Sequence, residues 1–233
     1  MKTTTSNPTL RGQALATALC LLAGGDAWAG GHLDVDDSGT LDPGQCQYEA
    51  WFGRTGVEPV RVWHLGPACR IGPFEVGLNI DRLAVGDNRD WVLGPQLKWL
   101  FWGDANSVWS AAVSATASFE VRHRHGRPGG QLLLPVTWHP DRSLWVHGNI
   151  GVDWALGNGA HTPRGGVGVE WAFHEKLSLI AERYKSFDAW TTRAGLRYSI
   201  TPLITIDLTA SRTRDGQQDV RGFVLGINHE FSR

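Results

Sequence analysis

The sequence predicts an all-β fold: a transmembrane up-and-down antiparallel β-barrel of about 12 strands. Three observations predict it. Segments of about ten residues alternate apolar and polar positions. The turn-rich connectors between them alternate short and long in the second half of the chain, and the tryptophans fall into two outward bands.

The alternation is clearest late in the chain. Ile204, Ile206, Leu208 and Ala210 share one face of their segment, with Thr205, Asp207, Thr209 and Ser211 on the other. Ala194, Leu196, Tyr198 and Ile200 likewise oppose Arg193, Gly195, Arg197 and Ser199. Val146, Ile150, Val152 and Trp154 oppose His147, Asn149, Gly151 and Asp153. Successive side chains on a strand point to opposite faces, so each segment has an oily side and a wet side.

Extended along the chain, the pattern gives strands at 45–54, 60–70, 73–83, 90–101, 107–123 and 131–139. It continues at 143–155, 165–174, 176–186, 190–200, 203–212 and 219–231. An even number is what a single-chain bacterial barrel requires. The connectors "HPDRS", "HEK" and "TPL" are short, whereas "HRHGRPGG", "LGNGAHTPRG" and "RTRDGQQD" are long and polar. That asymmetry puts both termini and the short turns in the periplasm. Trp99, Trp109, Trp138, Trp171 and Phe173 fall outward near the short-turn ends, and Trp63, Trp91, Trp154 and Phe223 near the long-loop ends. Two such girdles mark the two membrane boundaries.

Residues 1–29 read as a secretory signal peptide: Lys2 and Arg11, then the apolar run "ALATALCLLAGG", then "AWA" ending at Ala29. Cys20 lies inside the leader, behind a Leu19 too bulky for lipoprotein cleavage. Removing Lys2, Arg11 and Asp26 from 22 basic and 23 acidic residues leaves 20 and 22. A nearly neutral chain offers no basic face for nucleic acid. Residues 30–44 then form a periplasmic N-terminal segment, and 45–233 the barrel.

Two cysteines remain after export into an oxidising compartment, where a bridge is the default. A first hairpin turning between Val57 and Glu58 sets Cys46 opposite Cys69, with Cα atoms about 4.5–5.5 Å apart, within the reach of a disulfide. The same register faces Tyr48, Ala50 and Phe52 to Pro67, Leu65 and Trp63 outward, and turns Gln47, Glu49, Trp51 and His64 inward. Free thiols, or zinc ligands with His64, remain the alternative.

The stretch "DVDDSGTLDPGQ", Asp34 to Gln45, looks like a calcium loop through Asp34, Asp36, Ser38, Gly39 and Asp42. An EF-hand loop closes on a bidentate Glu, where this chain has Gln45, and hangs between helices, where this chain has a leader and a strand. His123 and His125 resemble a metal pair, yet Arg122, Arg124 and Arg127 would repel the cation. No metal and no cofactor is called for, and the basic loop is also a candidate contact for lipopolysaccharide phosphates.

Function then rests with the inward face. It carries Glu49, Glu75, Asp81, Glu120, Asp153, Glu170, Glu182, Asp207 and Glu230 against Lys98, Arg122, Arg193 and Arg197, with His147, Asn79, Asn149 and Asn228 between them. Charges inside a barrel must pair or stay wet, so the lumen is either a plug of ion pairs or a conducting path. Twelve strands stand between the filled barrels of about eight and the open channels of about sixteen. The excess of acids favours cations or neutral solutes.

"GINHEF", Gly226 to Phe231, resembles the C-terminal signal of outer-membrane barrels, with Ser232 and Arg233 trailing the closing aromatic. The resemblance implies assembly into the outer membrane by the barrel assembly machinery. "DDSGTLDPGQ" resembles the start of an uncharacterised group of bacterial outer-membrane barrels found with the meta-cleavage pathway of phenol degradation. It implies a transport or envelope role, with the acids in a solvated periplasmic turn. The size is similar to that of small oligosaccharide-specific porins, which line their lumen with many Arg.

The expected protein is therefore a non-enzymatic barrel in the outer membrane of a Gram-negative bacterium, in contact with lipid, passing a small solute or serving the envelope structurally. A membrane-embedded hydrolase stays open, although His229 with Ser232 is a poor Ser-His pair. So does a soluble periplasmic β-protein binding an apolar ligand. Cleavage after Ala29 predicts that N-terminal sequencing of exported protein starts at Gly30; envelope material that retains Met1 would refute the leader.

Overall fold

The structure, a computed structural model, describes residues 33–55, 60–104, 106–122, 126–216 and 218–233. The leader and the His123/His125 pair lie outside the described residues. The strands are β1 (Gln45–Thr55), β2 (Val60–Ile71), β3 (Phe74–Val85) and β4 (Asn88–Trp102). Next come β5 (Trp109–Glu120), β6 (Gly129–Asp141), β7 (Leu144–Trp154) and β8 (His161–His174). The last are β9 (Leu177–Ser186), β10 (Ala189–Thr201), β11 (Ile204–Asp215) and β12 (Gln218–Ser232). Each strand pairs antiparallel with its chain neighbours, and β1 pairs with β12 from Gln45↔Ser232 to Arg54↔Phe223, so the sheet closes. Closure leaves no free edge, and the wall meets its own backbone hydrogen bonds as hydrocarbon demands.

The two faces of the wall differ in kind. Leu65, Leu93, Ile150, Val167, Leu196 and Leu208 stand exposed around the outside, while Lys98, His147, Asp153, Glu182, Arg197 and Asp207 are buried within. That is the reverse of a barrel built to hold an apolar ligand. At the end where the termini lie, Trp109 stacks with Trp138 at 5.9 Å between ring centroids, and Trp171 meets Phe173 at 5.7 Å. Trp99 lies between Phe74 and Phe101 in the same rim. At the opposite end Phe52 contacts Trp63 at 4.4 Å and Phe223 at 6.0 Å, with Trp91 and Trp190 exposed nearby.

The first hairpin has the expected register: Cys46 faces Cys69, Tyr48 faces Pro67 and Phe52 faces Trp63. Cys46 and Cys69 form a disulfide with Cα atoms 4.0 Å apart, which removes them as zinc ligands. The turn itself, with Val57 and Glu58, lies outside the described residues.

Two expectations need correction. The alternation of connectors holds only from β5 to β9, where 121–128 and 155–160 are longer than the two-residue turns after β6 and β8; His161 to Arg164 belong to β8, and β11 and β12 run on to Asp215 and from Gln218. "RTRDGQQD" is polar because the wall continues beyond the apolar band. Thr213 still faces inward there, and its hydroxyl lies 2.8 Å from that of Thr191. Arg122 is not inward: β5 ends at Glu120, the chain bends away, and the exposed Arg122 donates to the Arg89 carbonyl at 3.3 Å.

The bridge shortens the unfolded chain's freedom across a separation of 23 residues, so replacing both cysteines by Ser should cost about 2–3 kcal/mol. Urea unfolding followed by the folded-to-unfolded gel shift reads this. An unchanged midpoint would remove the stabilising role.

Candidate functional site: a lumen occupied by the N-terminal segment

The stretch before β1 is inside the barrel, which corrects the expectation of a solvated turn. Gly44 adopts φ 83°, a conformation open to glycine, and its carbonyl accepts the Arg233 N–H at 2.8 Å. From that corner the chain runs up the lumen and is held at nearly every step. Leu41 N–H donates to Glu75 Oε2 at 2.9 Å, and the Arg70 guanidinium donates to the Thr40 hydroxyl. Ser38, fully buried, donates from its N–H to Thr137 Oγ1 at 3.0 Å, and its hydroxyl meets that of Ser110 at 2.6 Å. Asp36 and Asn149 exchange two bonds, N–H to Oδ1 at 2.7 Å and Nδ2–H to the Asp36 carbonyl at 2.7 Å. Val35 N–H donates to Glu182 Oε2 at 2.9 Å.

The acids that resemble calcium ligands serve cations of the wall. Lys98 Nζ lies 2.9 Å from Asp36 Oδ1 and 3.4 Å from Asp37 Oδ1. Asp34 takes Arg164 at 3.1 Å and Arg193 at 2.8 Å. Among the described residues no group of three or more His, Cys, Asp and Glu side chains is arranged to hold a metal ion. Shape agrees with charge: a Cβ on Gly168 would sit 3.3 Å from Val35, so the wall is thinned where the apolar Val35 crosses it.

Elsewhere the wall satisfies itself across strands. Arg197 bonds Asp207 at 2.8 and 3.2 Å and Glu170 at 2.6 Å, and Arg193 reaches Glu182 at 3.0 Å. Asp153 takes the Ser186 hydroxyl at 2.7 Å and Arg164 at 3.4 Å. His147 Nδ1 lies 3.0 Å from Thr137 Oγ1.

The anchors lie on every strand from β2 to β10. Beside the segment lies a cavity of about 410 Å³, whose wall residues come from β1 to β4 and also from β5 to β8, β10 and β12. Gln47, Glu49, Trp51, His64, Asn79 and Gln96 line its wall side, and Asp36, Asp37 and Asp42 its inner side. His64 is held by Asp81 at 2.7 Å and stacks on Trp51 at 4.9 Å. Gln47 Oε1 is buried without a partner among the described residues.

Of the lumen residues read from the sequence, Glu75, Lys98, His147, Asp153, Glu170, Glu182, Arg193, Arg197, Asp207 and Glu230 are buried. Glu49, Asp81 and Glu120 are half-buried and Arg122 is outside. The sequence reading missed Arg164 and the whole inserted segment. Arg164 was visible in principle, since it shares the parity of Gly166, Gly168 and Glu170.

A family model described as "Uncharacterised conserved protein UCP029691" matches residues 17–231. The chain belongs to that family. No curated protein matches this family member by sequence. Among solved structures it is similar to the KdgM porin, with TM-score 0.61 and 10% identity over 80% of this chain and 99% of that one. That porin has also been solved in complex with disordered oligogalacturonate. The COG4313 outer membrane channel from Pseudomonas putida F1 follows, with TM-score 0.57 and 14% identity over 86% of this chain and 100% of that one. Outer membrane phospholipase A from Escherichia coli, an active-site mutant, has TM-score 0.51 and 11% identity over 82% of this chain and 91% of that one. These likenesses establish the fold of outer-membrane barrels.

Replacing Lys98 by Met should leave Asp36 and Asp37 buried without their cation and weaken docking of the segment by about 3 kcal/mol. Hydrogen exchange at the amides of Val35, Asp36, Ser38 and Leu41 should accelerate accordingly, while Lys176→Met in an exposed turn leaves it unchanged. Equal exchange in both variants would mean that these ion pairs do not hold the segment.

Proposed function

We propose that the chain is an outer-membrane channel for small neutral or cationic solutes, narrowed by its own N-terminal segment to the cavity beside that segment. The observation that carries this reading is the acid-rich cavity of about 410 Å³ that remains beside the docked segment in place of a filled core. The barrel fold shared with porins supports membrane placement, as do the apolar exterior and two aromatic rims. Lys98, Arg164, Arg193 and Arg197 are each bound to carboxylates, so among the described residues these cations form no free ladder for an acidic oligosaccharide. Glu49 and Asp42 face the cavity and favour cations.

On this reading the leader exports the chain, the barrel assembly machinery inserts it through the "GINHEF" strand, and the termini face the periplasm. The likeness of Asp36–Leu41 to barrels of phenol meta-cleavage pathways supports an envelope transport setting. We read no hydrolase: the outward His229 is engaged with the Tyr48 hydroxyl at 2.9 Å, and His64 and His147 turn inward to Asp81 and Thr137.

In planar bilayers the purified protein should give small unitary currents that favour cations, and Glu49→Gln should lower that preference. Deleting residues 33–41 should raise the conductance severalfold. Asp34→Asn with Asp36→Asn, which keeps the chain length, should raise it as well. Absence of current from all of these proteins would overturn passage.

A further inference from the structure

The outward surface beyond the aromatic rim at the end opposite the termini is dense in arginine. On β1 and β2, Arg54 and Arg61 face each other directly in register and are both exposed. Directly opposed residues have Cβ atoms about 4.5–5.5 Å apart, where like charges destabilise the pair. Among the described residues neither makes an ion pair. A second like pair, Arg212 facing Arg221, closes β11 against β12. Arg214 stands beside it, and Asp219 meets both Arg212 and Arg214.

The remaining cations continue the same level around the wall. The Arg82 guanidinium lies 5.9 Å from the Trp91 ring and that of Arg183 5.1 Å from the Trp190 ring. Arginine stacked on a girdle ring keeps its charge at the depth of lipid head groups rather than out in water. The other end of the barrel differs: exposed Arg142, Lys176 and Arg233 are interspersed with exposed Asp42, Asp104, Asp141 and Glu175. The arginine rim also carries exposed Asp87 and Asp188, the latter paired with Lys185, yet its exposed arginines outnumber its exposed acids, whereas the other rim is balanced.

We propose that this rim binds the phosphate groups of anionic lipids in the leaflet it meets, with Arg54/Arg61 and Arg212/Arg221 as paired forks on bridging phosphates. An anion between two facing guanidiniums turns their repulsion into two charge-assisted contacts, and the planar fork matches a phosphate's oxygens. A lipid fits better than a soluble anion, because the guanidiniums lie along the apolar band, where a head group is fixed by its own chains.

This inference rests on the membrane placement proposed above. The test inserts the full chain into nanodiscs of phosphatidylcholine alone or doped with phosphatidic acid, and reads the temperature of the folded-to-unfolded gel shift. Phosphatidic acid should raise that temperature by several degrees in the wild type, and high salt should reduce the gain. Arg54→Gln with Arg61→Gln, or Arg212→Gln with Arg221→Gln, should lose most of the gain, whereas Arg142→Gln with Lys176→Gln keeps it. Equal gains in all variants would overturn the proposal. So would the same gain from inorganic phosphate added to phosphatidylcholine nanodiscs, because the rim would then take a free anion. Failure to enter any nanodisc would overturn the membrane placement itself, whereas insertion without dependence on phosphatidic acid overturns only the lipid site.

Discussion

Charge inside the barrel must be neutralised by groups that are themselves inside, and this constraint organises the lumen. A wall one strand thick with an apolar outer face offers no polar group behind it, so a buried arginine can look only across the strand or into the lumen for a partner. Arg197 finds its partners on the wall, in Asp207 and Glu170. Lys98, Arg164 and Arg193 also recruit carboxylates of the inserted segment. The segment is thus the counter-charge of the wall as well as its filling. Its polar backbone fits because Glu75, Thr137, Asn149 and Glu182 take its N–H groups.

The segment is bonded to the wall from β2 to β10 and still leaves a cavity beside it. Glu49, Trp51 and His64 face that cavity. The cavity is lined by carboxylates, amides and an aromatic face, and the cations beside it, Lys98, Arg164 and Arg193, are paired with carboxylates.

Much of the fold is legible in the sequence because period two is a local property. Each strand announces its two faces within its own residues, and the Cys46–Cys69 register follows from the hairpin alone. The cross-strand pairs Arg193↔Glu182 and Arg197↔Asp207 were within reach once strands and parity were known. The inserted segment was not. "DVDDSGTL" has no period, and its short polar residues read as a turn wherever they lie. Its burial is decided by Lys98, Arg164 and Arg193, which stand on three different strands. Counting charges also misled: acids outnumber bases overall, which hid the local need for more carboxylate beside these cations. Strand ends escaped for a related reason, since Arg212 and Thr213 are as polar as a loop while still alternating.

The covalent tie between Cys46 and Cys69 joins residues close in sequence at the very start of the barrel. In a sheet where each new strand takes its reading frame from the one before, a slip of one residue would exchange the oily and wet faces of everything that follows. The bond holds β1 and β2 to one phase, and β1 is also the strand on which β12 closes the ring.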